Sequence, residues 1–496
     1  MVESTGPQRE GHVEPLNLSD LLADVTAQGP AGLATVVTGI AYRSDRVRPG
    51  DVFFCVPGLV RDGHDFAADA VARGARAVVG TREIEGLPVP QVVVPDARIA
   101  LALASARHFG QPSKDLRVVG VTGTNGKTTT TYLLDSILRC AGHKTGVIGT
   151  VGTRIGETGQ AAARTTPESL DLQELLRRML DAGVDVVSME VSSHAIDLHR
   201  VDGVRFDVAA FTNLSQDHLD YHPSLEEYFA VKSRLLESVP PQARVIDVDG
   251  PAGLELAERI GALWTVGRSA RAAVRAENVV MGPSSTGFDL RTATGAAQVA
   301  LPLVGEFNVD NALVAAGCAL ALGVDVSHVV RGLAEAPQVP GRLERVDAGQ
   351  PFGVLVDYAH TPDGVRKALA AVRGLAAGRV MIVFGCGGDR DHGKRALMGR
   401  AAGELADVVV VTSDNPRTED PDAIIAQIVD GMGGTAAERR VERDRRAAIA
   451  LALGLAAEGD LVLIAGKGHE DYQVLGDTTV PFDDREVARE ELRRLW

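Results

Sequence analysis

The sequence predicts an α/β protein of three domains, and three observations support this prediction. The chain has 496 residues, and at about 100–200 residues per domain it can form three domains that each bury a core. Buried strands alternate with amphipathic helices over most of the chain, as expected for parallel sheets. This alternation occurs in two separate stretches, so we expect two doubly wound units behind a smaller N-terminal α/β unit.

Polar, proline-containing stretches mark the expected domain boundaries. Residues 16–112 form the predicted N-terminal domain, in which short strands precede the helical segment DARIALALASARHFG. Residues 113–339 form the predicted central mononucleotide-binding (P-loop) domain, and a Pro-Gly pair follows it. Residues 340–496 form the predicted C-terminal Rossmann-like domain, with the strands FGVLVD, RVMIVFG, DVVVVTSD and DLVLIAG.

The composition excludes several classes of function. The formal net charge is -15, and an acidic chain repels phosphate backbones, so we expect no nucleic-acid partner. No apolar run approaches the ~20 residues that a spanning helix needs, so we expect no membrane insertion. The four cysteines are widely spaced, which favours reduced thiols in the cytoplasm over a zinc site or disulfides.

A glycine-rich loop stands between a β-branched strand and a helix. The strand LRVVGVT is followed by Gly123, Thr124, Asn125, Gly126, Lys127, Thr128 and Thr129. Glycines let backbone N–H groups approach phosphates, and the helix N-terminus adds a favourable dipole. Lys127 is suited to the β- and γ-phosphates of ATP, and Thr128 to Mg²⁺. Val121 replaces the first glycine of the strict pattern, but the flanking strand and helix favour an ATP site over an incidental turn.

One further polar residue, Glu190, is a candidate for metal binding because of its position. Glu190 ends the predicted strand VDVVSME, at the sheet edge where α/β sites form. A carboxylate there suits Mg²⁺, which prefers oxygen ligands. Taken alone, Glu190 is equally well explained as a solvated strand end. A loop histidine such as His218 is more often structural, and a helix lysine such as Lys232 is usually a solvated charge.

An ordered series of short motifs resembles the Mur ligase family over nearly the full chain. After the loop come 189–194 (MEVSSH), 213–214 (NL), 217–220 (DHLD), 305–308 (GEFN) with Asn311, 340–342 (PGR), 357–362 (DYAHTP), 385–391 (GCGGDRD) and 414–417 (DNPR). The resemblance implies a monomeric, ATP- and Mg²⁺-dependent amide ligase of cell-wall precursor synthesis. It further implies that meso-diaminopimelate is joined, through an acyl phosphate, to the D-glutamate side chain of UDP-N-acetylmuramoyl-L-alanyl-D-glutamate.

The resemblance also implies roles for individual residues. Those implied in catalysis are Lys127, Glu190, His218 and Lys232, the last as N6-carboxylysine, a carbamate that needs a neutral amine. Those implied in holding Mg²⁺ are Thr128, Glu190, His218 and Lys232. Besides the loop, those implied for ATP are Asn308, Asn311, Arg342 and Asp357, the last on the ribose. Those implied for the UDP-muramoyl dipeptide are Ser44, Thr165, Thr166, Ser192 and Arg200. Those implied for diaminopimelate are Arg390, Asp414, Asn415, Pro416, Arg417, Gly466 and Glu470.

Three positions depart from the family pattern, and they leave the uracil and sugar contacts open. Arg164 precedes the Thr165-Thr166 pair, Leu198 stands where relatives often have glutamine, and the usual Asp-Ser-Arg reads Arg43-Ser44-Asp45.

Several alternative functions remain open: a lysine-adding Mur ligase, a folylpolyglutamate synthetase and a non-catalytic ATP-binding switch. A full domain before the phosphate loop argues against the synthetase, and the set Glu190, His218 and Lys232 argues against the switch. Arg390 and Arg417 follow strands at one sheet edge, so we expect them to approach one crevice with Glu470. A guanidinium binds a carboxylate in bidentate fashion, which favours meso-diaminopimelate over lysine because lysine lacks the second carboxylate.

Overall fold

A computed structural model describes residues 15–26, 34–58, 61–162, 164–217, 221–282 and 284–495. Over these residues the chain forms three main sheets, each packed against helices, so the predicted α/β class is confirmed. The proposed domain limits at residues 112 and 339 stay predictions. None of the described helices is both long enough and apolar enough to cross a membrane.

The N-terminal part is built on a small parallel sheet with strand order β3-β4-β5-β6. Its strands are β1 Leu16–Asn17, β2 Val36–Val37, β3 Gly39–Ala41, β4 Asp51–Phe54, β5 Ala77–Gly80 and β6 Gln91–Val93. Its helices are α1 Leu18–Leu21, α2 Ala67–Ala72 and α3 Ala97–His108. The carboxylate of Asp96 caps α3 by accepting from the backbone N–H groups of Arg98 and Ile99.

The central part is an 11-stranded sheet of order β10-β9-β8-β11-β7-β12-β13-β14-β15-β16-β17. Its strands are β7 Arg117–Thr122, β8 Thr145–Ile148, β9 Thr153–Ile155, β10 Thr158–Gln160, β11 Val186–Glu190, β12 Val208–Phe211, β13 Arg244–Asp247, β14 Trp264–Gly267, β15 Val274–Met281, β16 Thr286–Thr292 and β17 Gly295–Leu301. Its helices are α4 Lys127–Cys140, α5 Ser169–Asp181, α6 Ser193–Asp197, α7 Leu225–Glu237, α8 Pro251–Ile260, α9 Glu306–Ala321 and α10 Val326–Ala334.

Strand β7 lies in the middle of this sheet, and its composition explains its place. Five of its six residues are buried, as a strand covered by helices on both faces requires. Its parallel neighbours are β11 and β12, so the carboxyl ends of all three strands meet at one edge. That edge carries the phosphate loop, Glu190 and the segment after Phe211.

The C-terminal part is a six-stranded sheet of order β18-β19-β23-β20-β21-β22, parallel except for β18. Its strands are β18 Glu344–Arg345, β19 Gly353–Asp357, β20 Val380–Phe384, β21 Val408–Val411, β22 Glu438–Val441 and β23 Leu461–Ala465, and β24 Tyr472–Leu475 and β25 Thr478–Pro481 form a separate hairpin. Its helices are α11 Pro362–Arg373, α12 Gly393–Leu405, α13 Pro421–Gly431, α14 Arg445–Leu455 and α15 Asp484–Leu495. The four strands predicted for this section are confirmed.

A fully buried ion pair fixes the carboxyl edge of the C-terminal sheet. The guanidinium of Arg445 donates to both carboxylate oxygens of Asp484, at 2.8 and 2.6 Å, and neither side chain is exposed. Arg445 also donates to the backbone carbonyl of Ala465, where β23 ends. This pair therefore joins α14 and α15 to the strand end that precedes Gly466.

Candidate active site

Two glycines let the phosphate loop pack closely against its neighbours. A Cβ atom on Gly123 would lie 1.9 Å from Oγ1 of Thr212, and one on Gly126 would lie 2.2 Å from Oδ1 of Asn311. Both glycines also have positive φ, +143° and +88°, which side chains disfavour. The loop therefore connects β7 to α4 while touching the end of β12 and the helix α9.

Two lysines donate to the same backbone oxygen in this loop. Nζ of Lys127 lies 2.9 Å from the carbonyl oxygens of both Gly123 and Thr124. Nζ of Lys232, on α7, lies 2.9 Å from the Gly123 carbonyl oxygen and 4.2 Å from the centre of the Tyr228 ring. Burial lowers the pKa of both amines, and that of Lys232 lies well below its usual value, with the charge of Lys127 as a second cause. A neutral amine at Lys232 is the form that carbamylation requires.

The carboxylate of Glu190 lies next to this loop at the end of β11. Glu190 is 1% exposed, and its oxygens accept from the backbone N–H of Thr150 at 2.8 Å and from its hydroxyl at 3.0 Å. The charge of Glu190 favours the protonated form of Lys127 and opposes the effect of burial on its pKa. The Thr150 and Thr165 hydroxyls lie 3.0 Å apart, which links the carboxylate to a residue predicted to bind the muramoyl dipeptide.

His218, predicted as a catalytic and metal-binding residue, lies outside the described residues. Asp217 is described, and its charge raises the pKa of both Lys127 and Lys232. The sequence motif contained Asp217, but no role followed from it. The structure places it close enough to contribute to the charge balance of the two lysines.

A cavity of about 260 Å³ begins at the N-terminus of α4. Residues predicted for ATP reach its wall from three parts of the chain: Asn125, Gly126, Thr128 and Thr129 from the loop, Asn311 from α9, and Arg342 and Asp357 from the C-terminal part. Nη2 of Arg342 donates to the Thr128 hydroxyl at 3.1 Å. The guanidinium carbon of Arg342 also lies 4.7 Å from the centre of the Tyr358 ring.

Two of the predicted ATP residues bond to other protein groups. Asn308 is 1% exposed, donates to the Val304 carbonyl and accepts from Asn311, so it lies behind Asn311 and positions it. The Asp357 carboxylate accepts from the backbone N–H groups of Leu343 and Ala359, at 2.8 Å each. Burial raises the pKa of Asp357. Its ribose contact stays a prediction.

A second cavity, of about 1460 Å³, lies between the central and C-terminal parts. Its central wall includes Thr150, Thr165 and Asp217. Its C-terminal wall includes the predicted diaminopimelate residues Arg390, Asp414, Asn415, Arg417, Gly466 and Glu470. The residues Tyr358, His360 and Thr361 line both cavities, so the two cavities adjoin.

Short polar contacts fix the side chains on the C-terminal wall of this cavity, where the predicted diaminopimelate residues lie. Nη1 of Arg417 donates to the Gly388 carbonyl at 2.7 Å, and the backbone of Arg417 has φ +53°. Glu470 accepts from Asn415 Nδ2 at 3.0 Å. A Cβ atom on Gly466 would lie 2.6 Å from Oδ2 of Asp414, so glycine is needed there. Pro416 is buried and holds the turn without reaching the cavity wall.

Sequence reasoning missed Lys467, whose ammonium is fully buried beside Glu470. Its Nζ lies 3.3 Å from the carboxylate and 3.5 Å from Oδ1 of Asn415. Burial raises the pKa of Glu470, and Lys467 opposes that shift. A lysine between two glycines gave no sequence signal of burial, because its contacts are with Asn415 and with the ring of Tyr472 in the hairpin.

The structure brings together three of the residues predicted for the muramoyl dipeptide. The Thr166 hydroxyl donates to the Glu190 carbonyl and accepts from the backbone N–H of Ser192, and Arg200 donates to the Thr166 carbonyl. Ser44 lies apart, in the N-terminal part, where its hydroxyl bonds to Asp69.

Three arginines surround one carboxylate where the N-terminal part meets the central part. Arg98, Arg164 and Arg200 lie 3.6, 3.6 and 3.3 Å from Oε2 of Glu168, whose side chain is 8% exposed. Three cations around one anion leave excess positive charge that suits an anionic substrate. Of these arginines, only Arg200 was predicted as a contact. Arg98 could not be found from sequence because it comes from a different part of the chain.

Comparisons with known proteins agree with this architecture. Three family models match: "Mur ligase family, catalytic domain" over residues 36–109, "Mur ligase middle domain" over 121–319 and "Mur ligase, glutamate ligase domain" over 341–468. Two similar curated proteins are the UDP-N-acetylmuramoyl-L-alanyl-D-glutamate--2,6-diaminopimelate ligases of Solibacter usitatus and Geobacillus thermodenitrificans. They are 47% and 48% identical, over 96% and 91% of this chain and 98% and 94% of their own lengths.

A solved structure agrees over nearly the whole chain. It is a UDP-N-acetylmuramoyl-L-alanyl-D-glutamate--2,6-diaminopimelate ligase with a TM-score of 0.69 and 31% identity, covering 97% of this chain and 99% of its own. The matches together span all three sheets and the loop between β7 and α4. The chain therefore belongs to the Mur ligase family.

Proposed function

We propose that this protein is an ATP-dependent ligase that joins meso-diaminopimelate to the D-glutamate side chain of UDP-N-acetylmuramoyl-L-alanyl-D-glutamate. The observation that carries the proposal is the pair of adjoining cavities, one beginning at the phosphate loop and one lined by Arg390, Arg417 and Glu470. The names of relatives 47% and 48% identical over nearly their full lengths support the same substrates. The cytoplasmic location and the monomeric state stay predictions.

The reaction needs activation because a carboxylate does not readily form an amide in water. In the proposed mechanism a carboxylate oxygen of D-glutamate attacks the γ-phosphorus of ATP, and ADP leaves. The amine of diaminopimelate then attacks the acyl phosphate carbon, loses a proton, and inorganic phosphate leaves as the amide forms. Lys127 and Arg342 supply positive charge where charge develops on the transferred phosphoryl group.

The described donors at the loop fit Mg²⁺. The hydroxyl of Thr128 and the carboxylate of Glu190 are oxygen donors, the type that Mg²⁺ prefers, and a carbamate on Lys232 would add another. Bound Mg²⁺ neutralises charge on the nucleotide phosphates. A carbamate at Lys232 would also place an anion beside Lys127, which favours the protonated form of Lys127.

The residues around Arg417 favour meso-diaminopimelate over lysine as the incoming amino acid. Arg417 is half-buried, with one nitrogen committed to Gly388, so the rest of its guanidinium is available to a distal carboxylate. Asp414 and Glu470 supply negative charge for ammonium groups. A folylpolyglutamate synthetase is disfavoured because the N-terminal part also matches the Mur ligase family, over residues 36–109.

Replacing Lys127 with alanine should lower kcat by at least about 100-fold, as removal of a charge-stabilising donor does in other enzymes. The measurement is ADP release that depends on the UDP-muramoyl dipeptide and diaminopimelate. Lys114→Ala, at an exposed lysine on the N-terminal side of β7, is the matched control and should retain normal turnover. Near-normal turnover by Lys127→Ala would reject the assigned role.

Replacing Lys232 with alanine should abolish most activity, and added small carboxylates should restore part of it by occupying the place of the carbamate. The carbamate itself should appear as a carbonyl resonance in ¹³C NMR after incubation with labelled bicarbonate, and Lys232→Ala should lack it. An unmodified amine in the wild-type protein, together with an active alanine variant, would contradict the proposal.

The wild-type protein should prefer meso-diaminopimelate to lysine in kcat/KM by about 10–100-fold, the value of one hydrogen-bonded charge pair. Arg417→Ala should lose most of that preference by slowing the reaction with diaminopimelate. Arg400→Ala, at an exposed position of α12, should keep the preference. Equal rates with the two amino acids in the wild-type protein would overturn the substrate assignment.

A further inference from the structure

The nucleotide cavity extends from the phosphate loop to the carboxyl end of β13. At one end lie Gly126 and Thr128, and at the other lie Asp247 and the start of α8. Strand β13 is two strands away from β7 in the sheet order, a separation of about 10 Å at the usual strand spacing. A nucleotide with its phosphates on the loop can therefore extend its base to Asp247.

The far end of the cavity has walls suited to a planar base. The side chains of Pro251, Ala252, Phe307, Val314 and Ala368 line it, and all of them are apolar. Ligand sites of this kind combine apolar walls with a few polar groups that determine specificity. The polar groups lining the cavity here include three carboxylates, Asp247, Asp249 and Asp310, and the ammonium of Lys367.

Two of the three carboxylates are committed to other protein groups. Asp249 accepts from the backbone N–H groups of Arg268 and Ser269. Asp310 pairs with the Arg268 guanidinium at 3.0 Å. Both are therefore held in place by the loop after β14.

Asp247 is different because only one of its carboxylate oxygens has a partner. Its Oδ1 accepts from the backbone N–H of Asp249 at 3.0 Å. Over the described ranges, its Oδ2 makes no hydrogen bond or ion pair. Asp247 is 9% exposed and lines the cavity.

We propose that Asp247 selects the base of the nucleotide, as a protonated carboxyl group that binds adenine through two hydrogen bonds. Its O–H donates to a ring nitrogen, and its carbonyl oxygen accepts from the 6-amino group. The proposal rests on the proposed function, because it assumes that ATP occupies this cavity. It assigns base recognition to a residue at the end of β13, outside the phosphate loop.

The surroundings of Asp247 support a protonated form near neutral pH. The pKa of Asp247 is raised to about 7, mainly by burial; the charges of Asp310 and Asp249 contribute to this rise, and the Asp249 backbone N–H and Arg268 oppose it. Burial also raises the pKa of Asp310, to about 6. The remaining charged groups are Glu306, which pairs with Arg268, and Lys367, whose charge acts on Asp310.

The two protonation states of Asp247 complement different bases. A carboxylic acid offers one donor and one acceptor, which matches the 6-amino group and ring nitrogen of adenine. A carboxylate offers acceptors alone, which match the ring N–H and 2-amino groups of guanine. Selectivity for ATP over GTP should therefore be high below the pKa of Asp247 and should fall as the pH rises through it.

The test compares kcat/KM for ATP and GTP in the wild-type protein at about pH 6 and about pH 8.5, on either side of the Asp247 pKa. The ratio of kcat/KM for ATP to kcat/KM for GTP should fall by about tenfold or more between the lower and the higher pH, which is the value of a two-bond contact to a base. Asp247→Asn offers one donor and one acceptor at every pH, so its ratio should not change. The exposed matched control Asp325→Asn should change as the wild type does.

A second variant tests the same account through the charge of a neighbour. Asp310→Asn removes a negative charge that raises the Asp247 pKa, so the fall in selectivity should move to lower pH. Dissociation constants of non-hydrolysable ATP and GTP analogues should show the same pH dependence without turnover. Because these binding measurements need no turnover, a lack of ligase activity would overturn the proposed function without overturning the assignment of Asp247.

A wild-type ATP/GTP ratio that is the same at both pH values would overturn the assignment of Asp247. An ATP/GTP ratio that falls in Asp247→Asn as the pH rises, as it does in the wild type, would also overturn this assignment.

Discussion

The carbonyl oxygen of Gly123 accepts from the amines of two lysines, and the rest of the site depends on how charge around these amines is balanced. Nζ of Lys127 and Nζ of Lys232 each lie 2.9 Å from it. Two protonated amines at this distance would cost free energy unless anions compensated them, and the pKa of Lys232 is accordingly well below its usual value. Glu190 and Asp217 supply part of that compensation, and nucleotide phosphates and a carbamate complete it in the proposed mechanism. The loop is thus arranged to bind anions.

Contacts between the central and C-terminal parts connect this charge balance to the second substrate. Arg342 reaches the Thr128 hydroxyl, and Asn125 lies 3.3 Å from the carboxylate of Asp363 on α11. The two cavities adjoin at Tyr358 and His360. An acyl phosphate formed beside the nucleotide would therefore lie next to the space that holds the incoming amine, which limits its exposure to water.

The parallel strands and the loop between β7 and α4 could be predicted because local patterns encode them: valine-rich runs for buried strands, and glycines before a helix. Features that depend on distant contacts could not be predicted. Strand β15 pairs with β14 in parallel fashion, and β16 and β17 continue the central sheet as antiparallel strands, which the alternation of strands and helices did not predict. Likewise, the burial of Lys467 and the pairing of Arg98 with Glu168 depend on residues far apart in sequence.

The central claim is that this site activates a carboxylate by phosphorylating it, and oxygen transfer tests it directly. The D-glutamate side-chain carboxylate of the substrate would be labelled with ¹⁸O, and the phosphate released during ligation with diaminopimelate would be analysed by mass spectrometry. The account predicts that each phosphate carries one oxygen from the carboxylate, because the acyl phosphate breaks between carbon and that oxygen. Phosphate without label, formed together with the amide product, would contradict it.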